Sequence, residues 1–576
     1  MKYELIGKNE ASLGQIFENR NIPIGNIMGV NSTAVIDPTR LKNMDKAVEL
    51  VKRHIDNQSL IYIQQDPDAD GVTSTTLLAL YLKKAHPEVS ERLYIGVQEG
   101  KQHGFDRNNI LVLEEQIGAT FDLVIAPDAS SNEHELHKEL SDGGRDVLVL
   151  DHHDADSYSP YATMVNPQLD DYPNKNISGV GVVMKFAQLY DIKFGFDHSS
   201  DYYDLVAVGI IGDMIEITTP ETVYMIQRGM SQVKTPFLKA LYAKQAYSMK
   251  NSITPIGISF YVVPLINGMV RAGTQDEKLL MLQASIADED FDVPSTKRGN
   301  KPGDTETICD QAVRIMTNVK SRQGREVDKA IAVIEDTIEA NKLNENQLIV
   351  VDAEHTFDKG YTGLIANKIM AKYQKPTLIG SVSRGALAGS GRSYDKSSLP
   401  DLKSFLQDSG IVNYAEGHGA AHGFSVDEVR IPELLEYSNR ELADLDFTPK
   451  YLVDFEIDFA EIDGDMMEFL KEIVNLSKYW AKGFDEPYFV IKNLPVGKDD
   501  IEIAGDFDSH FIKIKKGALE YLKFRVKTED VQPFLENGLT RINLVGRVAE
   551  NEFQGKKSLQ VFMEDFEVAG SQAFYF

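Results

Sequence analysis

"LIYIQQDPDADGVTST", residues 60–75, runs from a β-rich apolar stretch into three aspartates at alternate positions, Asp66, Asp68 and Asp70, followed at once by Gly71. Oxygen ligands at alternate positions also open the calcium loop of an EF-hand. Here, however, the position that should carry the bidentate glutamate is Leu77, and the residues ahead of Asp66 are Leu60, Ile61, Tyr62 and Ile63 instead of an amphipathic helix. The segment that follows, TSTTLLALYLKKA, has helical propensity and spacing. The carboxylates are therefore predicted at a strand-to-helix turn, where α/β proteins place chemistry. Taken alone, such a motif is more often a solvated structural turn.

Composition narrows the choice. A chain of 576 residues is too long for one core and predicts about three domains. Its 42% hydrophobic and 26% charged residues are ordinary for a folded protein. No apolar run approaches about 18 residues, and the N-terminus MKYELIGKNEAS lacks the apolar stretch of a signal peptide, which predicts a cytoplasmic protein without a membrane partner. The single cysteine, Cys309, excludes an intramolecular disulfide and a cysteine-based zinc cluster. A net charge of -28 argues against nucleic-acid binding by bulk electrostatics and leaves room only for a local basic channel.

From about residue 58 to 235 strand-like runs (LIYIQQ, LYIGVQ, DLVIAPD, DVLVLDHH) alternate with helical ones (GVGVVMKFAQLY, DYYDLVAVGIIGD), the pattern of βαβ units around a parallel sheet. Residues 304–343 hold no proline and only Gly324, which predicts a long helical connector, interrupted at most once. A second α/β region starts at NQLIVVDAEH, and residues 450–576 turn strand-rich, as in a small β-barrel or sandwich.

Later apolar runs repeat the opening theme. They end at Asp128 (DLVIAPDAS), at Asp151, His152 and His153 (DVLVLDHHDAD), and at Asp213 (LVAVGIIGDMIE), each read as a strand end. Carboxyl ends of parallel strands share one edge, so these side chains can converge. An aspartate-rich set with one or two histidines suits Mn²⁺ or Mg²⁺ better than zinc, and one aspartate could bridge two ions. Two such ions about 4 Å apart promote in-line displacement at phosphorus, hence hydrolysis of a phosphate ester or anhydride.

In this order the motifs resemble the DHH phosphoesterase superfamily: DPDADG (66–71), PDAS (127–130), DHH (151–153) and GIIGDM (209–214). NPQLDDYPNKNISGVGVVMKF and PLINGMVRAG, the latter with Asn267 and Arg271, resemble its RecJ branch of single-strand DNA exonucleases. GSGRS (389–393) followed by EGHGAAHGF (416–424) resembles the DHHA1 domain, with Glu416 and His422 at positions where the family form has small residues. VGRVAENEFQGKKSLQVFMEDFE resembles the closing strands of a RecJ OB-fold. The implied α/β architecture is an N-terminal segment (1–50) packing on a DHH catalytic domain with a parallel sheet (51–303), a helical connector (304–343), a DHHA1 substrate-binding domain (344–449) and an OB-fold β-barrel (450–576).

The resemblance implies that Asp68 and Asp70 bind different metals, that Asp128 bridges them, that His152 and Asp213 complete the second site and that Asp66 binds or orients the first. His153 is assigned to the scissile phosphate or leaving oxygen, and Asp151 to orienting the histidines. Gln64 stands where a family variant has a histidine, which implies a weaker first site. For substrate, His103 in EGKQHGFD, Arg271 and Arg392 are phosphate-contact candidates, since guanidinium matches phosphate bidentately. Ser390, Gly391 and His418 lie in glycine-rich turns whose amides can approach phosphate oxygens. Lys513, Lys515, Arg547, Phe553 and Lys556 supply the basic groove and stacking ring of an OB barrel. Each has a plain alternative as a surface ion pair, a turn or a solvated strand face.

The expected activity is a single-stranded DNA exonuclease that releases mononucleotides, 5′ to 3′ by resemblance, using two divalent ions, Mn²⁺ in preference or Mg²⁺. The implied partners are single-stranded DNA with a single-strand binding protein or a helicase, and the implied state is a monomer. The alternatives are a phosphodiesterase acting on short oligonucleotides or cyclic dinucleotides, and a catalytically inactive Cdc45-like scaffold.

Overall fold

The computed structural model describes all residues except 99–101, 354–356, 395–396, 449, 506–508, 537–538, 554 and 572–576, and describes only the backbone of 533, 535, 536, 539, 553, 570 and 571. The chain divides into two compact units, one of residues 24–323 with 477–485, the other of 1–23, 324–476 and 486–576.

The first unit is built on five parallel strands in the order Leu93–Val97, Ile61–Gln65, Leu123–Pro127, Asp146–Leu150 and Thr163–Val165. Every residue of Ile61–Gln65 and Leu123–Pro127 is buried, which is why these strands read as continuous apolar runs without alternation. Helices Ala69–Ala85, Gly179–Phe194 and Tyr203–Gly212 pack together, and the first two are buried over most of their length. The run ending at Asp213 is thus a helix, as DYYDLVAVGIIGD suggested, and not the strand end read from LVAVGIIGDMIE. Residues 203–211 are buried all round, so the run carries no amphipathic period to distinguish the two.

Helix Pro255–Gly257, a π turn over Ile258–Val262 and helix Val263–Ala272 form one continuous segment. At 18 residues with mean hydropathy 1.2 it is long and apolar enough to cross a membrane, although 56% of it is buried inside the fold. The expectation that no apolar run reaches that length is corrected accordingly. Small and polar residues such as Ser259, Asn267 and Gly268 break the run up by eye without lowering its mean enough to fail the criterion.

Residues 1–23 do not join the domain that follows them, as expected of the 1–50 segment. Strand Tyr3–Leu5 pairs in parallel with Tyr451–Val453, and Arg20 reaches Asp454 through Nε at 2.9 Å and Nη2 at 2.8 Å. The connector is a single helix, Ile308–Ala340, unbroken at Gly324, whose cost of about 1 kcal/mol a 33-residue helix tolerates.

In the second unit a five-stranded sheet runs Tyr414–His418, Ala421–Asp427, Ala386–Arg392, Thr377–Ser383, Ile349–Asp352, with only the last pair parallel. Leu378, Leu387, Leu402, Phe424 and Leu434 form its core. The strand-rich C-terminal region forms one seven-stranded sheet, in the order Phe455–Asp458, Phe489–Gly497, Leu539–Phe553, Lys556–Ser571, Leu519–Val526, His510–Lys516 and Ile501–Ala504.

The Asp454 side chain is fully buried and that of Arg20 is 12% exposed. Arg20→Ala is therefore expected to destabilise the chain by about 3–5 kcal/mol, the usual cost of stranding one partner of a buried pair. Urea unfolding is the check, and a loss under about 1 kcal/mol would show that the pair anchors little.

Candidate active site

Three neighbouring strands deliver carboxylates to one edge. Ile61–Gln65, Leu123–Pro127 and Asp146–Leu150 lie side by side, and the residues that follow them are Asp66, Asp128 and Asp151. From the first strand the chain crosses to Leu93–Val97 on one side and then to Leu123–Pro127 on the other. Asp66 and Asp128 therefore flank the point where strand order reverses, the crevice that open parallel sheets use for ligands.

Helix ends supply the remaining groups. Asp68 caps helix Ala69–Ala85 by accepting the Gly71 N–H at 3.0 Å. Asp70, in the first turn, also accepts the N–H groups of Gly179 (2.7 Å) and Val180 (3.1 Å) and the Ser178 hydroxyl (3.1 Å), at the start of helix Gly179–Phe194. A helix N-terminus favours an anion in this position. Asp213 follows the last turn of helix Tyr203–Gly212.

These side chains meet. His152 Nε2 lies 3.2 Å from Asp128 Oδ1, 3.4 Å from Asp213 Oδ2 and 3.8 Å from Asp70 Oδ2. Asp66, Asp68 and Asp128 place one ligand atom each within 4.8 Å of one another, and so do Asp70, His152 and Asp213, and Asp128, Asp151, His152 and His153. Asp128 Oδ1 and His152 Nε2 are buried and neither makes a hydrogen bond. Facing buried acceptors without a donor are costly, and a shared cation is the group that satisfies both. Asp128 also holds a left-handed φ of 68°, uncommon outside glycine and characteristic of functional turns.

Burial raises the carboxyl groups of Asp66, Asp70 and Asp128, and the surrounding aspartates push Asp128 up furthest. Burial, with Asp70 and Asp68, carries Asp213 up to about 8. The two histidines diverge. Burial lowers His152, whereas for His153 the effect of burial is outweighed by the hydrogen bond and charge of Asp151, which carry it to about 10. Burial likewise opposes ionisation of Asp151, but its bond to His153 holds it below the usual carboxylate range. Asp151 Oδ1 accepts the His152 N–H (2.7 Å) and His153 Nδ1–H (2.8 Å), and Oδ2 accepts the Ser131 N–H (3.1 Å).

His103 reaches the cluster through Asp66, with Nδ1 at 2.7 Å from Oδ2, and the Gly104 N–H donates to Oδ1 at 3.1 Å. Gln64 turns elsewhere: its Oε1 accepts from the Tyr62 hydroxyl (2.7 Å) and the Asp106 N–H (3.0 Å), and its Nε2 donates to Gly96 O (3.3 Å). Arg271 is exposed on helix Val263–Ala272 of the same unit.

The other candidates belong to the second unit. Ser390, Gly391 and Arg392 share strand Ala386–Arg392, where Gly391 faces His422 and Arg392 faces Ala421, itself paired with His418. Lys513, Lys515 and Arg547 are tied to Glu520 (3.0 Å), Glu502 (2.9 Å), and Glu486 and Glu564 (2.9 and 2.8 Å). Lys556 is exposed, and the side chain of Phe553 lies outside the described residues.

The sequence reading passed over Ser178, Gly179 and Gly209. A Cβ on Gly179 would lie 2.2 Å from Asp128 Oδ1, and one on Gly209 would lie 2.4 Å from Asp70 Oδ1. The signal was available for the first pair, because Ser-Gly directly before an apolar helical run marks a helix start.

Residues 58–210 match the DHH family, N-terminal domain, and residues 453–565 match the RecJ OB domain. A Bacillus subtilis (strain 168) protein, provisionally described as the SPbeta prophage-derived single-strand DNA-specific exonuclease YorK, is 33% identical over 99% of this chain and 98% of its own length. The single-stranded-DNA-specific exonuclease RecJ of Haemophilus influenzae is 23% identical over 97% of this chain and 96% of its own. The crystal structure of RecJ in complex with Mn²⁺ from Thermus thermophilus shares the fold at TM-score 0.71 and 18% identity, covering 100% of this chain and 79% of that one.

The neutral form of Asp213 is favoured by folding, so its stabilisation is complete below the ordinary aspartate range near 4 and is lost as pH rises through about 8. Asp151, held low, stays ionised across that window, whereas His153 adds to the loss above the ordinary histidine value near 6.5 and burial-lowered His152 opposes it. Metal-free protein should therefore lose melting temperature from pH about 5 to about 8, and Mn²⁺ should raise it more at the higher pH; an equal gain at both would contradict the crowding of charge. Gly179→Ala, with its clash against Asp128, should lower that Mn²⁺-induced gain while leaving far-UV circular dichroism intact.

Proposed function

The chain belongs to the DHH family, and from that membership we propose that it is a single-strand-specific exodeoxyribonuclease that cuts phosphodiester bonds with two divalent ions and releases mononucleotides 5′ to 3′. The observation that carries the reading is the pair of ligand sets flanking Asp128 at one sheet edge. Asp66, Asp68 and Asp128 would hold one ion, and Asp70, Asp128, His152 and Asp213 the other. An oxygen-rich set with one imidazole suits Mn²⁺ in preference, or Mg²⁺. Two such ions supply an activated water and stabilise the charge of an in-line displacement.

The chain's own groups divide the remaining work. His152, kept neutral by burial, has its Nε2 lone pair free for ligation. His153, half exposed and cationic beside Asp151, presents a charged N–H to the scissile phosphate or leaving oxygen. Asp151 fixes the backbone of His152 and the ring of His153 and needs no contact with substrate. His103 is held by Asp66 at the mouth of the cluster, 65% exposed, where a phosphate oxygen can reach its other nitrogen.

We assign residues 51–303 to catalysis, 344–449 to substrate binding through Arg392, Ser390, Gly391 and His418, and 450–576 to the grip on the strand. The last of these is supported by the OB match over 453–565. A monomer that works beside a helicase or single-strand binding protein in the cytoplasm fits this role.

The test is a time course in Mn²⁺ on a single strand labelled separately at each end, with a duplex and a dinucleotide alongside. The 5′ label should leave at once as mononucleotide while the 3′ label shortens gradually and the duplex persists; cleavage of the dinucleotide alone would replace this reading with a small-substrate phosphodiesterase. Asp128→Asn, which tolerates the left-handed backbone, should lower activity by more than about 100-fold.

A further inference from the structure

The loop that carries His103 is held amide by amide. The N–H groups of Gly104, Phe105 and Asp106 donate in turn to Asp66 Oδ1 (3.1 Å), Glu133 Oε2 (3.1 Å) and Gln64 Oε1 (3.0 Å). Gln64 and Asp66 belong to the strand Ile61–Gln65 and the residue after it. Glu133 comes from elsewhere, at the start of helix His134–Asp142 and just past the turn of Asp128. It gives the loop a second anchor, independent of the strand.

That anchor is itself fixed. The same Glu133 Oε2 accepts the Ser130 hydroxyl, and Ser130 holds a left-handed φ of 85°. Ser131 donates its N–H to Asp151, and Asn132 bonds to the Asp154 carbonyl (2.9 Å) and the Asp156 N–H (3.2 Å), so residues 130–133 are tied along their length. The loop fits closely against them. A Cβ on Gly104 would run into the Glu133 carboxylate, and Gly104 also has a φ of +81°. Phe105 is buried with its ring edge-on to His137, centroids 6.1 Å apart, so its N–H depends on a protein acceptor.

Asp66 is a poor sole support for this loop. Both of its oxygens are taken, Oδ2 by His103 and Oδ1 by Gly104, and as a metal ligand the same carboxylate is drawn toward a cation. We propose that Glu133 is a positioning residue for His103, holding the backbone beside the imidazole so that the ring keeps its place when an ion draws on Asp66. The inference rests on the nuclease reading, in which His103 meets a substrate phosphate, and adds the residue that acts through it. Glu133 needs no contact with metal or strand. Its oxygen matters and its charge does not: burial works against the ionised form, and both bonds call for one acceptor atom. A glutamine carbonyl oxygen, with two lone pairs, can serve the same donors.

The experiment joins hydrogen exchange of the full chain in Mg²⁺, followed by mass spectrometry without DNA, to steady-state cleavage of a single strand. Glu133→Ala should speed exchange around Phe105 about tenfold, the loss of a hydrogen bond to a carboxylate, and leave the strands Ile61–Gln65 and Leu123–Pro127 unchanged. It should raise KM by about the same factor with kcat within about twofold, as the loss of a contact made equally in ground and transition states does. Glu133→Gln should stay within about threefold of wild type on both counts. His103→Ala should raise KM as Glu133→Ala does, and the double variant should raise it no further, because one residue acts through the other. Unchanged exchange and KM in Glu133→Ala overturn the proposal, and so does faster exchange throughout the unit, which would make Glu133 a general structural residue. Additive losses with His103→Ala, or a smaller Mn²⁺-induced rise in melting temperature, overturn it in favour of a role at the Asp128 turn. Wild type that cuts no single strand overturns the nuclease reading, and exchange around Phe105 still decides whether Glu133 holds the loop.

Discussion

Asp70 is held by three donors at the start of helix Gly179–Phe194, and the site depends on that contact. It joins the amino end of one helix to the carboxylate of another, so Ala69–Ala85 and Gly179–Phe194 cannot slide past each other without exposing a buried charge. The same contact draws Gly179 against Asp128 and leaves Gly209 no room for a side chain beside Asp70. Backbone donors, unlike lysine or arginine, orient the carboxylate without adding a full charge that would compete with a cation.

One carboxylate sets two neighbouring histidines to different tasks. Asp151 bonds to the backbone of His152 but to the ring of His153; burial keeps the first ring neutral, whereas the bond and charge of Asp151 make the second a cation. Pairs of titratable groups driven apart by their surroundings are a common way to separate acid from base at one site.

How much of this was legible follows from which interactions are local. Asp66, Asp128 and Asp151 could be placed because a buried parallel strand announces itself as an apolar run, and its end is the sheet edge. Asp213 was found as a residue, but its run was read both as a helix and as a strand end, since an apolar helix buried all round looks like a strand. The OB lysines show the opposite limit: the sequence displays Lys513 and Lys515, but Glu520 and Glu502 come beside them only through strand register. Gln64 was legible as a departure, whereas its engagement with Tyr62 and Asp106 required the turn that returns residue 106 to the strand.

The pairing of Tyr3–Leu5 with Tyr451–Val453 bears on how the chain is made. Arg20 and Asp454 are 434 positions apart, and chains grow at about 5–20 residues per second, so the first segment waits roughly 20–90 s for its partner to emerge. Residues 24–323, which make up all of their unit but 477–485, emerge in that interval and have time to begin folding. Residues 3–20 thus settle only after residue 454 has emerged, and until then an unpaired strand edge stays open, in a period when a nascent chain is prone to associate with its neighbours.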